Sequence, residues 1–337
     1  MSAAPIVEDI QEPRTGSKLV RATFPHSAEL PAVTWRLWIT TVGVWAFFEA
    51  LAFAHPSIVV NALASIFAGL TIVRMFIFYH DFLHGAVFRK NTLGKWMMHA
   101  VGYYTLNPPS VWKETHDYHH QNNAKMVGAA IGSFPVVTTR IWKVLKPKDR
   151  KAYTIARHPL TMALAIFTIF GIGMCISPFR RNPGKHWSGP LALVLHTTAL
   201  VTIGLTLGWK AAFFGFWLPL AISMGMGAYL FYVQHNFPDI VLRDRRKWDY
   251  SFAAVRSSSM FDMTPMMHWF TGNIGYHHVH HLNHKIPFYR LPECMDALPE
   301  LQDPGRTTFA LRDVRACLAL KLWDNKEGKM VGWDAVA

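Results

Sequence analysis

The sequence predicts an all-α integral membrane protein, with four transmembrane helices in two hairpins, additional interfacial helices and a helical cap on the cytoplasmic side. Three observations carry this prediction. Hydrophobic residues make up 51% of the 337 and charged residues 16%, against roughly 25% charged in a soluble globular chain. The apolar residues gather into four runs long enough to cross a hydrocarbon layer of about 30 Å, which takes some 20 residues at about 1.5 Å each. Almost all Lys and Arg residues lie outside those runs, on the side expected to be cytoplasmic.

Residues 1–31 are polar and punctuated by proline. They lack the charged start and apolar stretch of a signal peptide, so a cytoplasmic tail is expected. The character changes at Ala32. AVTWRLWITTVGVWAFFEALAFA supplies a first span from Thr34 to Ala54, and after His55, Pro56 and Ser57 a second runs from Ile58 to about Tyr79. Leu191 to Leu207 and Ala211 to Val233, parted only by Gly208, Trp209 and Lys210, give the second hairpin. Thr92 to Leu106 is too short to span and carries Lys95, which predicts an interfacial helix. Leu160 to Ser177 is borderline in length. From Pro292 onward the mixed periodicity of FALRDVRACLALKLWD suits an amphipathic helix on the cap. No linker stands out, so 32–291 reads as one membrane domain and 292–337 as its cytoplasmic C-terminal segment.

With 34 Lys and Arg against 21 Asp and Glu the formal charge is +13. In the four-span arrangement only Lys210 falls in an outer loop, while Arg36 and Arg74 lie toward the cytoplasmic ends of their spans. Membrane orientation therefore accounts for the excess, and a nucleic-acid partner is not needed. Cys175, Cys294 and Cys317 have no CxxC spacing and suggest neither a disulfide framework nor a zinc ribbon. Glu49 is an acid inside the first span, a hint of function. Its place near the outer end favours a protonated or interface-facing residue.

The 18 histidines carry more information. Nine fall in three pentads, HDFLH (His80 to His84), HDYHH (His116 to His120) and HHVHH (His277 to His281); an even scatter would place about 0.8 there. Residues at i, i+3 and i+4 share a helix face. His80 and His84, then His116, His119 and His120, then His277, His280 and His281 can each aim at a common point. Neutral imidazole is the commonest protein metal ligand, and eight exceed what one tetrahedral ion uses, so two metal ions are implied. Ligand type alone leaves iron, copper, zinc and nickel open. The first pentad lacks the glutamate of HExxH, which argues against a zinc protease. A histidine-rich metal-binding or transport protein is the non-enzyme alternative, though a transporter would place ligands near the midplane of its spans.

In their flanks these pentads resemble the three histidine boxes of the membrane fatty-acid desaturases. HDFLHGAVF resembles the first box, WKETHDYHHQNN the second, and FTGNIGYHHVHHLNHKIPFYRL the third box of the acyl-lipid branch that includes the Delta-12 or omega-6 enzymes. The similarity covers about Thr34 to Leu291. It implies a non-haem centre of two Fe ions, with O2 as co-substrate, that introduces a cis double bond into an acyl chain. Carried over, the ligands and catalytic residues would be His80, His84, His116, His119, His120, His277, His280 and His281. The resemblance also implies a ninth ligand between the second hairpin and the third box, His235 in FYVQHNF, with His268 as its rival. His278 points off the shared face and is expected to be supporting or structural. Asp81 and Asp117 stand beside ligands and are candidates to orient an imidazole. For His26, His55, His99, His158, His186, His196 and His284 an ordinary structural role is expected.

An unactivated C–H bond needs a redox metal, so the physics agrees with this resemblance. The sequence shows no nicotinamide or haem-attachment motif, and a separate ferredoxin-like or cytochrome-like electron donor is implied. The seven Lys and Arg from Arg140 to Arg157 offer a docking surface for an acidic donor or for anionic lipid. Hydroxylation, ketolation or epoxidation of an acyl, alkane or carotenoid substrate would use the same boxes. All boxes must lie on one side of the membrane, so Leu160 to Ser177 is expected to be interfacial or re-entrant, with both termini cytoplasmic.

Overall fold

The computed structural model describes residues 14–125 and 133–336. Among them, four helices are long and apolar enough to cross a membrane: Pro31–Ala54, Ile58–Leu83, Ser188–Thr206 and the continuous helix Trp209–Val233. They form the two expected hairpins. Pro31 opens the first span at a position where its missing N–H costs nothing. At the hairpin turn the Asn61 amide donates to the carbonyls of Leu51, Ala52 and His55, each at 3.0 Å, satisfying groups that the helix end leaves free. Lys210 from the second hairpin donates to the carbonyls of His55 and Pro56 at 3.1 and 3.0 Å. The second span is the most buried of the four. Gly69 brings it close to the fourth, where an added Cβ would lie 2.7 Å from the Pro219 carbonyl oxygen, the close backbone approach that small residues permit in membranes.

Arg74 binds the spans to the cap. Buried in the second span, it donates from Nε to Thr41 Oγ1 of the first at 3.0 Å and from a guanidinium nitrogen to the Trp269 carbonyl. Its cationic carbon lies 4.5 Å from the Trp269 ring centre and 5.1 Å from that of Phe288, contacts that replace some of the lost hydration.

Thr92–Tyr104 is a helix too short to span, as expected, and it is seated against the membrane helices. Phe88, just before it, packs edge-on against Trp35 and Trp38, whereas Tyr104 at its far end packs against Trp45 and donates to Glu49 at 3.3 Å. The helix packs along the second span, with His99 beside Phe82 and Gly102 against Tyr79, and only its ends reach the first. Two glycines allow this. Gly94 sits against Phe88 and Gly102 against the Tyr79 ring, each with an added Cβ at 2.7 Å. Residues 105–108 turn the chain, and Pro109–Asn122 returns with the second box.

The borderline run becomes a short helix, Pro159–Ala163, followed by a wide-wound segment, Ile166–Ile176. Both its ends are tied to the histidine-bearing end of the spans. Arg157 donates to Asn236, just past the fourth span, and Lys185 pairs with Glu114 of the second-box helix at 2.6 Å. This geometry suits a run that enters and leaves on one side.

The cap holds the third-box helix, His277–Leu282, and two small sheets, Met260–Phe261 parallel to Arg306–Thr307 and Leu322–Asp324 antiparallel to Lys329–Val331. The C-terminal amphipathic pattern is helical only over Leu311–Ala319, after which the chain turns into the second sheet. The turn is local chemistry: Asp324 Oδ1 accepts from Lys326 and Glu327 N–H, and Gly328 adopts a left-handed φ of +64°. Described residues of the N-terminal segment are folded onto the cap. Leu19 of helix Gly16–Ala22 is buried, Arg14 pairs with Glu300 at 2.7 Å, and Thr23 accepts from Asn283, directly after the third box, at 2.8 Å.

Candidate metal centre

Each box sits where a helix end delivers it. His80 lies in the last turn of the second span and His84 caps it; Gly85, with φ of +70°, then reverses the chain. The second box fills the last turns of Pro109–Asn122, and the third is a helix by itself. Helical spacing puts the ring pairs of each box on one face, and the three faces meet.

Nine imidazoles converge as two groups. In the first, His80, His84, His116, His120 and His280 each offer a ring nitrogen within 4.8 Å of the others. Its Nε2 atoms approach at 3.1 Å for His80 and His116, 3.0 Å for His120 and His116, and 3.1 Å for His280 and His120. In the second group, His119 and His281 lie 3.1 and 3.3 Å from their neighbours His235 and His119 respectively. His277 Nε2 adds contacts to His235 at 2.9 Å and to His281 at 3.1 Å. The groups adjoin, since the His120 and His281 rings stack at 4.3 Å.

The donor set fits cations. All nine rings are buried or nearly so, and among the described residues neither ring nitrogen of His84 has a hydrogen-bond partner. Burial first, and repulsion from neighbouring imidazoles second, pushes His84, His116, His119, His120, His277, His280 and His281 well below the usual histidine value. Burial takes His235 down to about 3. These rings are neutral at pH 7, and their Nε2 atoms crowd to within 2.9–3.3 Å of one another, an arrangement that suits the holding of a metal ion by each group.

The surrounding residues separate clearly. Asp81 is buried, accepts from His80 Nδ1 at 2.9 Å and from the Phe288 N–H at 2.7 Å, and so ties the first box to the segment after the third. Asp117 faces outward and pairs with Lys113 at 2.8 Å, one helix turn away. His278 is buried and directs Nε2 to the Leu301 carbonyl at 3.1 Å. His268 lies outside both groups and packs on Tyr276. Of the remaining histidines, His26 bonds Glu293, His55 and His158 accept from nearby backbone N–H groups, and His196 donates to the Tyr103 carbonyl. His99 packs beside Phe82, and His186 stands at the mouth of a cavity near Glu114.

His284 is the residue the sequence reading underrated. Its ring centre lies 4.7 Å from that of His84 and 5.2 Å from that of His120, on the rim of the first group. Helical spacing does not deliver it, because the third-box helix ends at Leu282 and Asn283 is extended; its neighbours His84 and His120 come from the other two boxes.

A cavity of about 1210 Å³ opens beside the histidines. His80 and His116 of the first group and His277 of the second form part of its wall; Val73, Ile77, Met224 and Ala228 of the second and fourth spans line it further in. Arg181, Lys185 and Glu114 are its charged lining residues.

Comparison with known proteins agrees with this geometry. The family profile described as "Fatty acid desaturase" matches residues 56–311. A "Fatty acid desaturase" of Bacillus subtilis (strain 168) is 29% identical over 299 residues, covering 87% of this chain and 83% of that protein. An "Omega-6 fatty acid desaturase, chloroplastic" of Spinacia oleracea is 26% identical over 71% of this chain and 53% of its own length. An "sn-1 oleoyl-lipid 12-desaturase" of Picosynechococcus sp. (strain ATCC 27264 / PCC 7002 / PR-6) is 22% identical over 69% of this chain and 67% of its own. With the profile spanning the second, third and fourth membrane helices, the three boxes and the cavity beside them, the chain belongs to the fatty acid desaturase family and is an oxidoreductase of the membrane.

Proposed function

We propose that the protein introduces a cis double bond into the acyl chain of a membrane lipid, at the Delta-12 or omega-6 position, using O2 and electrons from a separate donor. The observation that carries the reading is the shared wall. One apolar cavity, long enough to enter between the second and fourth spans, is bounded by imidazoles from both groups. An acyl chain lying in it would present neighbouring methylenes to both metal positions. The names of the omega-6 and 12-desaturase relatives support the position of the double bond.

The first group would hold one iron and the second group the other. Two iron ions bound there would supply the oxidant, with O2, two electrons and two protons converting CH2–CH2 into CH=CH and two waters. Each protein group has a physical task. Asp81 keeps a proton on His80 Nδ1, which turns the Nε2 lone pair inward. The apolar walls exclude water, so that charge developing near the histidines is not screened. Arg181 and Lys185 in the cavity lining suit the anionic headgroup of a lipid. An even number of crossings between boxes, and the concentration of cations at their end of the spans, favour a cytoplasmic active site with both termini on that side.

Purified protein tests the metal and the position together. Chelation should abolish turnover, and Fe(II), not Zn(II), should restore it. Mass spectrometry of derivatised products should place the new bond at carbon 12. Full activity in iron-free protein, or an oxygenated rather than unsaturated product, contradicts the proposal.

A further inference from the structure

Electrons have to reach both metal positions, and the cavity side is reserved for the acyl chain. We infer that an acidic one-electron carrier protein docks on the basic loop Arg243–Lys247 together with Lys125, and that electrons enter past Trp248. This rests on the desaturase reading above and assigns the partner surface that reading requires.

Three observations place the surface. The void lined by Trp248, Tyr250 and Asn123 also touches His120 of the first group and His281 of the second, and has no room for a water molecule. Its histidines are not those of the large cavity, which is lined by His80, His116 and His277. Trp248 is thus one residue layer from both groups, on another side from the substrate. It is held rigidly: its Nε1–H donates to the Asn123 carbonyl at 2.7 Å, Lys125 Nζ lies 4.0 Å from its ring centre, and the Tyr250 hydroxyl donates to the His281 carbonyl at 2.6 Å.

The loop around it is cationic. Arg245, Arg246 and Lys247 are exposed, Arg243 stacks on Phe252, and Lys125 lies alongside. The acids there are occupied locally. Asp244 Oδ1 accepts from the Arg246 and Lys247 N–H groups, and Asp249 caps the helix Tyr250–Arg256 through the Phe252 N–H. Five cations against these two acids leave a positive face, complementary to an acidic carrier and able to steer it. The face is at the far end of Pro109–Asn122, about 21 Å of helix from the turn packed among the spans, so a soluble protein can reach it. The other basic stretch suits lipid better. Ile155 and Leu160 beside it are exposed apolar residues, Ala152 and Ile155 line the acyl cavity, and Arg157, counted there as a surface cation, is buried against Asn236 and Tyr232.

The test uses the full-length protein in nanodiscs and a reduced plant-type [2Fe–2S] ferredoxin as probe. The triple variant R245E/R246E/K247E should raise both the Kd for ferredoxin and its KM at least tenfold and flatten their salt dependence. Trp248→Leu should lower kcat at saturating ferredoxin by more than tenfold while turnover driven by dithionite persists. Charge reversal at Lys143, Lys148 and Lys151 should leave the ferredoxin Kd within twofold of wild type. Unchanged binding in the loop variant, no ferredoxin binding by the wild type, equal weakening by the Lys143 set, or a loss seen only in nanodiscs rich in phosphatidylglycerol each overturns the docking site. Absence of unsaturated product with dithionite in the wild type would instead overturn the desaturase reading, since binding is measured without turnover.

Discussion

At the scale of single residues, two aspartates one position downstream of a box histidine have opposite surroundings. Asp81 is sealed between His80 Nδ1 and the Phe288 N–H, whereas Asp117 shares the surface with Lys113. Partners that orient a metal-bound imidazole typically contribute about 10- to 100-fold in affinity or activity, and an exposed i,i+4 pair contributes only about 0.3–0.5 kcal/mol. Asp81→Asn should therefore cut iron retention and turnover by about 10- to 100-fold, while Asp117→Asn should stay within about twofold, both read by metal analysis and product yield. The two groups make a second prediction. His80→Ala and His119→Ala each damage a different group, and each should lower bound iron from two toward one per chain by elemental analysis. Helical spacing made the box rings legible in the sequence, because each box is local. The pairing of His235 with His119 and His277, the burial of Asp81 and the placement of His284 depend on contacts between distant segments, and the sequence alone left Asp81 and Asp117 alike.

At the scale of elements, the four spans were legible because length and apolarity are properties of a single run. Thr92–Tyr104 was legible as a short helix but its packing was not, since that depends on Gly94 and Gly102 fitting against Phe88 and Tyr79. Gly102→Val would drive a side chain into the ring of Tyr79, directly before the first box. It should cost about 1–3 kcal/mol, the usual penalty of overpacking, and lower iron content, measured by thermal unfolding and elemental analysis. The strand Leu322–Asp324 escaped the helical reading because it is set by pairing with Lys329–Val331 across the turn at Asp324 to Gly328, beyond the end of the helical pattern. Next to them, Lys321 donates to the Arg157 carbonyl at 3.0 Å, and burial, aided by the Arg157 charge, lowers it from 10.5 to about 8. Between those values the unfolded chain binds more protons than the folded one, so stability should rise as pH increases from about 8 toward 10.5 and stay level below that range. Lys321→Met should flatten the rise in melting temperature across the window.

At the scale of the whole molecule, the hairpins set the second and fourth spans side by side, the cap closes three boxes over their ends, and the cavity lies between. On the proposed function its depth would decide which carbons of an acyl chain reach the histidines. Gly227 lines it, and an added Cβ there meets nothing within 4 Å. Gly227→Leu should place a side chain in the acyl path and shift the product profile toward shorter chains with iron content unchanged, as read by lipid mass spectrometry. The membrane architecture and the family were readable from composition and box motifs. The cavity was not, because its walls come from segments far apart in sequence. The central claim, that the nine converging imidazoles serve acyl desaturation, is tested most directly by expressing the gene with a competent donor in a host that makes only saturated and monounsaturated lipids, with His119→Ala as control. The account predicts a new diunsaturated species with the wild type and none with the variant; an unchanged fatty-acid profile with iron-loaded wild-type protein would contradict it.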